Sequence, residues 1–170
     1  MDARNFLSSK SLYTLDFYKE YAHMIKPSIS SVFGRVKKVL ILDCDNTLWG
    51  GIIGEDGFDG IHMSDISPKG KAYKEVQMLI LNLQKAGVLV ALCSKNNFDD
   101  VDRVIKQHPD FLLKDSDIVA KKINWEDKAS NIKQLSIDLN LGLDSFVFID
   151  DSKFEIGLIE KELPEVKCFL

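Results

Sequence analysis

Four short stretches carry the residues best suited to chemistry. Asp43-Cys44-Asp45-Asn46-Thr47 follows the apolar run Val39-Leu40-Ile41-Leu42, and Ser94-Lys95-Asn96 follows Val88-Leu89-Val90-Ala91-Leu92. Lys128 opens a helix-like stretch, and Asp150-Asp151 follows Phe146-Val147-Phe148-Ile149. Short continuous apolar runs read as strands of a parallel sheet buried on both faces, and such sheets bind ligands at the carboxyl ends of their strands. The polar residues stand at those ends, so Asp43, Asp45, Asp150, Asp151, Ser94 and Lys128 are expected on one edge. Carboxylates crowded in a low-dielectric cleft repel one another. A hard divalent cation removes that cost, and Mg²⁺ takes oxygen ligands while leaving room for a phosphate. The Ser94 hydroxyl and the Lys128 ammonium then suit the remaining phosphate oxygens. Together these groups make a set for phosphoryl transfer. Asp43 and Asp45 lie two apart on an extended segment and point to the same side. One can attack phosphorus to form an acyl phosphate, while the other protonates the leaving group and then activates water.

The segments between the runs must position these groups. Residues 71–86 carry Val76, Leu79, Ile80 and Leu83 on one helical stripe, and residues 127–140 carry Ile132, Leu135 and Leu139, with Gly142 placed as a helix stop. Asn97 with Asp100, and Ser152 with Glu155, read as helix starts. A weak strand falls near Leu112-Leu113 or Ile118-Val119. Strands alternating with helices make an α/β, Rossmann-like three-layer domain, predicted to span residues 38–170. Residues 1–37 read as an N-terminal helical extension packed on that domain: Leu15, Tyr18, Tyr21, Ala22 and Ile25 share a helical spacing that Pro27 stops. The closing run Val166–Leu170 has two readings, a strand completing the sheet or the point where a longer protein was cut. Gly50, Gly51, Gly54 and Gly57 are too dense for a helix or strand interior and predict a tight flap over the site.

Composition narrows the partners. The 170 residues carry 22 Lys and Arg against 26 Asp and Glu, a net charge of −4. That balance argues against nucleic acid or an anionic lipid surface as partner, and a small phosphorylated substrate then needs a metal or a local Lys. Cys44, Cys93 and Cys168 form no C-x-x-C pair, and His23, His62 and His108 lie far from them in sequence, which disfavours a zinc site. Sparse, odd cysteines suit a reducing cytoplasm. No apolar stretch follows the N-terminus as a signal peptide requires, and none approaches the length of a membrane span.

With these residues in view, the chain resembles the haloacid dehalogenase superfamily. Asp43-Cys44-Asp45-Asn46-Thr47 is similar to its D-x-D-x-T motif, and Ser94, Lys128 and Asp150-Asp151 resemble the second, third and fourth motifs, in the family's order. The resemblance implies Asp43 as nucleophile, Asp45 as general acid/base, and Mg²⁺ held by the Asp43 carboxylate, the Asp45 backbone carbonyl and Asp150. Thr47, Ser94, Lys95, Asn96, Lys128 and Asp151 then become phosphate or substrate contacts. A narrower similarity, to the capless FkbH-like (IIIC) branch, covers residues 36–165. It rests on Leu42–Gly51, Gly54-Glu55-Asp56-Gly57, Cys93–Asn96, Asn124–Lys128, Leu141–Ser145 and Phe148–Asp151. Relatives in that branch take a glyceryl unit from 1,3-bisphosphoglycerate, release phosphate and load an acyl carrier protein, and others act in glycan or secondary-metabolite pathways. The alternative it implies is a stand-alone phosphatase for a sugar or acid phosphate. Two features depart from the branch. Ser152-Lys153-Phe154-Glu155 stands where relatives have Asn-Pro and an Arg after the Glu, and the long acyltransferase-like portion is missing.

Plainer readings stand beside each of these. Asp43 and Asp45 can be solvated turn carboxylates, Asp150 and Asp151 an acidic helix start, Ser94 a turn cap, and Lys128 a solvated residue among Lys121, Lys122 and Lys133. Glu155 fits a capping box with Ser152 better than a ligand. Lys95 and Asn96 either touch substrate or turn the chain. Cys44 and Cys93 are core fillers, or one of them holds an acyl group as a thioester. Trp49 and Trp125 wall the pocket or fill the core. From other classes, a phospho-receiver domain places its acidic pair first rather than last, and a non-catalytic docking module has no need of four intact motifs.

Overall fold

The computed structural model describes residues 13–32 and 36–170. Helix α1, Leu15–Val32, precedes a division of the chain into two compact units between Val36 and Lys37. Thr14 Oγ1 accepts the Phe17 N–H at 3.3 Å at its start. Pro27 does not end α1 as expected: the helix continues to Val32, because a proline removes its own backbone donor and leaves the later bonds available. Leu15, Tyr18 and Tyr21 are exposed.

The second unit is a parallel sheet of β1 (Val39–Leu42), β2 (Leu89–Ser94), β3 (Ile118–Ile123), β4 (Phe146–Ile149) and β5 (Lys167–Phe169), ordered β3-β2-β1-β4-β5. The connecting helices are α2 (Ile53–Asp56), α3 (Pro68–Lys85), α4 (Phe98–Gln107), α5 (Lys128–Leu139) and α6 (Lys153–Glu162). Alternate residues of the central strands feed two cores. Leu40, Leu42, Val90 and Leu92 pack with Ile80 of α3 and with Val101 and Val104 of α4. Val39, Ile41, Ala91, Phe146 and Phe148 pack with Ile132 and Leu135 of α5 and with Ile159 of α6. Burial on both faces explains why β1 reads as an unbroken apolar run. The weak third strand lies at Ile118–Ile123, not at Leu112-Leu113. It is an edge strand carrying Lys121 and Lys122, so the apolar run that marks the inner strands is missing. The closing run forms β5, paired parallel with β4.

Two local readings are corrected. The α3 stripe is not Val76, Leu79, Ile80 and Leu83, for only Ile80 among them is buried. The helix turns Gly70, Gln77 and Ile80 inward. Gln77 is fully buried, donating to Leu48 O at 2.7 Å and accepting from Leu112 N at 2.8 Å. The buried stripe thus contains a glycine and a hydrogen-bonded polar side chain, which apolar spacing misses. Ser67 caps this helix by accepting the Gly70 N–H, with Pro68 in its first turn. Helix α5 stops at Asn140, in the left-handed region at φ 51°, not at Gly142, whose φ is −66°.

The strand register positions the site. Leu42 of β1 pairs with Leu92 of β2 and with Ile149 of β4, so β1 and β4 end level and β2 runs two residues further, to Ser94. The Asp43 N–H donates to Ile149 O at 3.0 Å. The chain leaves β1 towards β2 and β3, then crosses back to β4, which makes the edge between β1 and β4 the switch point of the sheet.

Candidate active site

Asp43, at the end of β1, and Asp150, at the end of β4, are both buried and share one cation. Lys128 Nζ lies 2.7 Å from Asp43 Oδ1 and 2.6 Å from Asp150 Oδ2. Lys128 is the first residue of α5 and only 4% exposed, so it is not the solvated lysine of the plainer reading. Asp127 fixes that helix start by accepting the Ser130 N–H at 2.8 Å. Lys121 and Lys122 are not on a solvated helix face either: they stand half-buried on β3, pairing with Asp102 and Asp115 and with Asp138.

Burial pushes the Asp43 carboxyl up to about 6, against the pull of Lys128 and with a smaller push from Asp150; a hydrogen bond from Ser94 favours the charged form. Burial works to lower the Lys128 ammonium, but the Asp43 and Asp150 carboxylates outweigh it and hold Lys128 above its usual range. Asp151 is raised, by burial first and by the Asp150 charge second.

One oxygen from each of Asp43, Asp150 and Asp151 lies within 4.8 Å of the others. Three convergent hard oxygens suit a divalent cation. Asp151, expected at the substrate, lies with Asp43 and Asp150 in the group that could hold such an ion. The Asp45 side chain stands apart from that group and has its own donors. Its Oδ1 accepts from Trp49 Nε1 at 2.9 Å and from Ile53 N at 3.0 Å, and its Oδ2 accepts from Asn96 Nδ2 at 2.8 Å. A carboxylate aimed by three N–H groups is a positioned group, not a solvated turn residue.

The flap is built around those contacts. Asn46 takes φ 52°, its side chain accepts the Gly51 N–H at 3.0 Å, and Gly50 and His62 exchange backbone hydrogen bonds at 2.8 Å each. Gly50 has no room for a Cβ, which would meet Tyr73 at 2.7 Å. Gly54 lies within the one-turn helix α2, although the glycine density argues against a helix there; that helix presents Ile53 N to Asp45. Trp49 is fully buried, edge-on to Phe111 at 5.9 Å. It fills the core and also orients Asp45, so it does not wall a substrate pocket.

Asn96 is buried and also donates to Ser94 Oγ at 3.1 Å, so its amide bonds both Asp45 and Ser94. Lys95 turns instead to Glu155, at 2.7 Å. Glu155 therefore is not half of a capping box. Ser152 Oγ caps α6 through the Glu155 N–H at 3.4 Å, but the Ser152 N–H goes to Asp150 Oδ1 at 2.8 Å and the Glu155 carboxylate is drawn to Lys95. The partnership spans sixty residues of sequence, so local spacing could not find it. Thr47 is nearly buried and lines a cavity of about 240 Å³ together with Asp150 and Asp151.

The thiols of Cys44 and Cys93 are fully buried in opposite cores. Burial raises Cys44 well above the usual thiol range and pushes Cys93 up to about 12. A buried, protonated thiol is a poor nucleophile, so the geometry argues against a thioester at either residue. Trp125, by contrast, is 70% exposed and borders a cavity of about 480 Å³, so the core-filling reading does not hold for it.

No family model matches the sequence, and neither does any curated protein. Solved structures do. The N-terminal part of a Bacteroides fragilis protein, containing a phosphatase domain and complexed with Mg, is 35% identical at a TM-score of 0.82. That alignment covers 99% of this chain and 45% of the other, so the chain spans less than half the length of that relative. An HAD family enzyme from Bacteroides thetaiotaomicron, in complex with magnesium and inorganic phosphate, is 15% identical at a TM-score of 0.51, over 78% of this chain and 92% of that one. Its magnesium complex aligns at 0.53 over 79% of this chain and 92% of that one, again at 15% identity. At such identity the likeness is one of fold, and the fold is that of the HAD enzymes. Among the described residues no helix is long and apolar enough to cross a membrane.

Proposed function

We propose that this chain is a Mg²⁺-dependent phosphatase of the haloacid dehalogenase superfamily that works through a phosphorylated Asp43. The convergence of Asp43, Asp150 and Asp151 oxygens within 4.8 Å, with Lys128 on two of the three residues, carries the reading. Asp43, Asp150 and Asp151 would hold the ion, with the Asp45 carbonyl as the ligand that the family resemblance adds. When bound, Mg²⁺ offsets the crowded carboxylates and the charge on the phosphoryl oxygens.

The side chains divide the work. An Asp43 oxygen attacks phosphorus, and the bond from phosphorus to the leaving oxygen breaks. Asp45 gives that oxygen its proton. Water then attacks the phosphorus of the aspartyl phosphate, Asp45 takes the water's proton, and the Asp43 carboxylate and inorganic phosphate are released. Lys128 and Ser94 favour the charged form of Asp43 and stand ready to hold phosphoryl oxygens. Trp49, Ile53 N and Asn96 keep Asp45 aimed without taking part in the chemistry.

The substrate is a small phosphorylated metabolite, and the finer reading divides in two. The FkbH-like motifs support glyceryl transfer from 1,3-bisphosphoglycerate to an acyl carrier protein. The burial of Cys44 and Cys93 supports plain hydrolysis instead, since the acyl group has no reachable thiol among the described cysteines on which to pause. The test is phosphate release from acetyl phosphate, sugar phosphates and 1,3-bisphosphoglycerate, with and without holo carrier protein. Each is run with Mg²⁺, with chelator and with Asp43→Asn. Metal-dependent release lost in Asp43→Asn is expected. Release unaffected by that substitution rejects the aspartyl-phosphate route, and a strict carrier requirement selects acyl transfer.

A further inference from the structure

We propose that the cavity beside Asn96 and Trp125 receives the leaving group, and that this group is a neutral polyhydroxylated one, such as the sugar of a sugar phosphate. The inference rests on the phosphatase reading and names its substrate class.

The leaving oxygen must reach the proton on Asp45, so the organic part of the substrate has to lie on the Asp45 side of the phosphate. Two cavities among the described residues adjoin the site. The smaller, about 240 Å³, is lined by Thr47, Asp150 and Asp151 together with apolar side chains, and so lies on the metal side. The larger, about 480 Å³, has Asn96 in its wall, and Asn96 Nδ2 is the group bonded to Asp45 Oδ2 at 2.8 Å. Asn124, in the same wall, is tied to the site by its N–H, which donates to Ser94 O at 3.2 Å. The larger cavity therefore reaches the proton donor through Asn96, whose amide lines it and bonds Asp45.

Its chemistry selects the ligand. Among the described residues the lining contains no Lys or Arg, but it does contain Asp99 and Asp100 at the head of α4. A second phosphate or a carboxylate on the leaving group would meet those carboxylates with no cation to balance it. Asn96 spends both amide N–H groups on Asp45 and Ser94 and keeps its Oδ1, while Asn97 and Asn124 give one N–H each to Asp100 and Asn131 and keep the other, as hydroxyl groups require. Two exposed aromatics complete the wall. Trp125 is 70% exposed and Phe98 49%. The Trp125 indole N–H donates to Asn97 Oδ1 at 3.2 Å, which fixes the ring's direction. A fixed, wetted indole beside hydrogen-bonding amides suits the C–H face of a sugar ring.

The experiment compares kcat/KM for a hexose phosphate, a phosphorylated hydroxy acid and acetyl phosphate, which has almost no leaving-group body. The wild type, Trp125→Ala and Asp99→Asn/Asp100→Asn are measured, each checked by thermal melting. The wild type is expected to prefer the hexose phosphate to the hydroxy-acid phosphate. Trp125→Ala should lower kcat/KM for the hexose phosphate about tenfold more than for acetyl phosphate, mainly through KM. The double Asn variant should narrow the gap between the neutral and anionic leaving groups. A wild-type preference for the anionic leaving group, or equal losses for all three substrates in Trp125→Ala, overturns the proposal. Failure of the phosphatase reading looks different: acetyl phosphate is then not hydrolysed in an Asp43-dependent way, and the subsite falls with it.

Discussion

The indole nitrogen of Trp49 donates to Asp45 Oδ1 at 2.9 Å, from a ring with no solvent exposure. A tryptophan on the flap thereby sets the direction of the carboxylate proposed to move the proton. Hydrogen bonds to charged groups contribute roughly 1.5–3 kcal/mol. Trp49→Phe keeps most of the ring and removes the donor. We expect kcat to fall by about one to two orders of magnitude, within the range of general acid catalysis. Mg²⁺ affinity should change little, because the Asp45 side chain stands outside the metal-ligating group. Steady-state kinetics with a metal titration checks both, and an unchanged kcat would show that Asp45 does not depend on this bond.

Lys128 compensates two buried carboxylates at once. Lys128→Met leaves Asp43 and Asp150 without that cation, and breaking a buried pair costs about 3–5 kcal/mol. In chelator the variant should melt well below the wild type. Saturating Mg²⁺ should restore more stability to the variant than it adds to the wild type, since the ion relieves the same carboxylates. Equal stabilisation of both proteins would show that the ion binds elsewhere.

Asp43 predicts a pH dependence. Its carboxyl stands at about 6 in the fold, against 3.8 for an ordinary aspartate, because burial disfavours its charge. The folded chain therefore binds this proton more tightly than the unfolded chain does. Its contribution to metal-free stability rises as pH falls from about 6 towards 3.8, and is lost again as pH climbs through 6. Mg²⁺ needs the charged form, so its affinity should weaken about tenfold between pH 7 and pH 5. Isothermal titration at the two pH values tests this, and Asp43→Asn should flatten the dependence.

The cysteines give a prediction of near-neutrality. Cys93→Ala should retain turnover within about threefold, with the modest stability cost of a small core truncation. If an acyl group pauses on this sulfur, the same substitution abolishes carrier loading while phosphate release continues. Quantifying both products separates the two.

Much of this molecule is legible in the chain. The runs at β1, β2 and β4 are apolar because both faces of those strands are covered, and each run ends in the polar residues that reach the site. The edge strand β3 is harder to place because exposure admits lysines. The inward face of α3 escapes apolar spacing because a glycine and a hydrogen-bonded glutamine occupy it.

The sequence by itself determined the alternation of strands and helices, the identity of Asp43, Asp45, Ser94, Lys128 and Asp150, and their placement at strand ends or at a helix start. Those rest on apolar run length and on the short-range rules of strand and helix termination. Tertiary structure alone decided which groups touch. It placed Lys128 on Asp43 and Asp150, Asn96 and Trp49 on Asp45, and Glu155 on Lys95 rather than in its own helix cap. It also buried Cys44, Cys93 and Trp49 while leaving Trp125 in water. Most of these contacts join segments far apart in sequence, and the choice among partners is made by the sheet's register and by burial. Neither is a property of any one segment, because each depends on which strands and helices pack together.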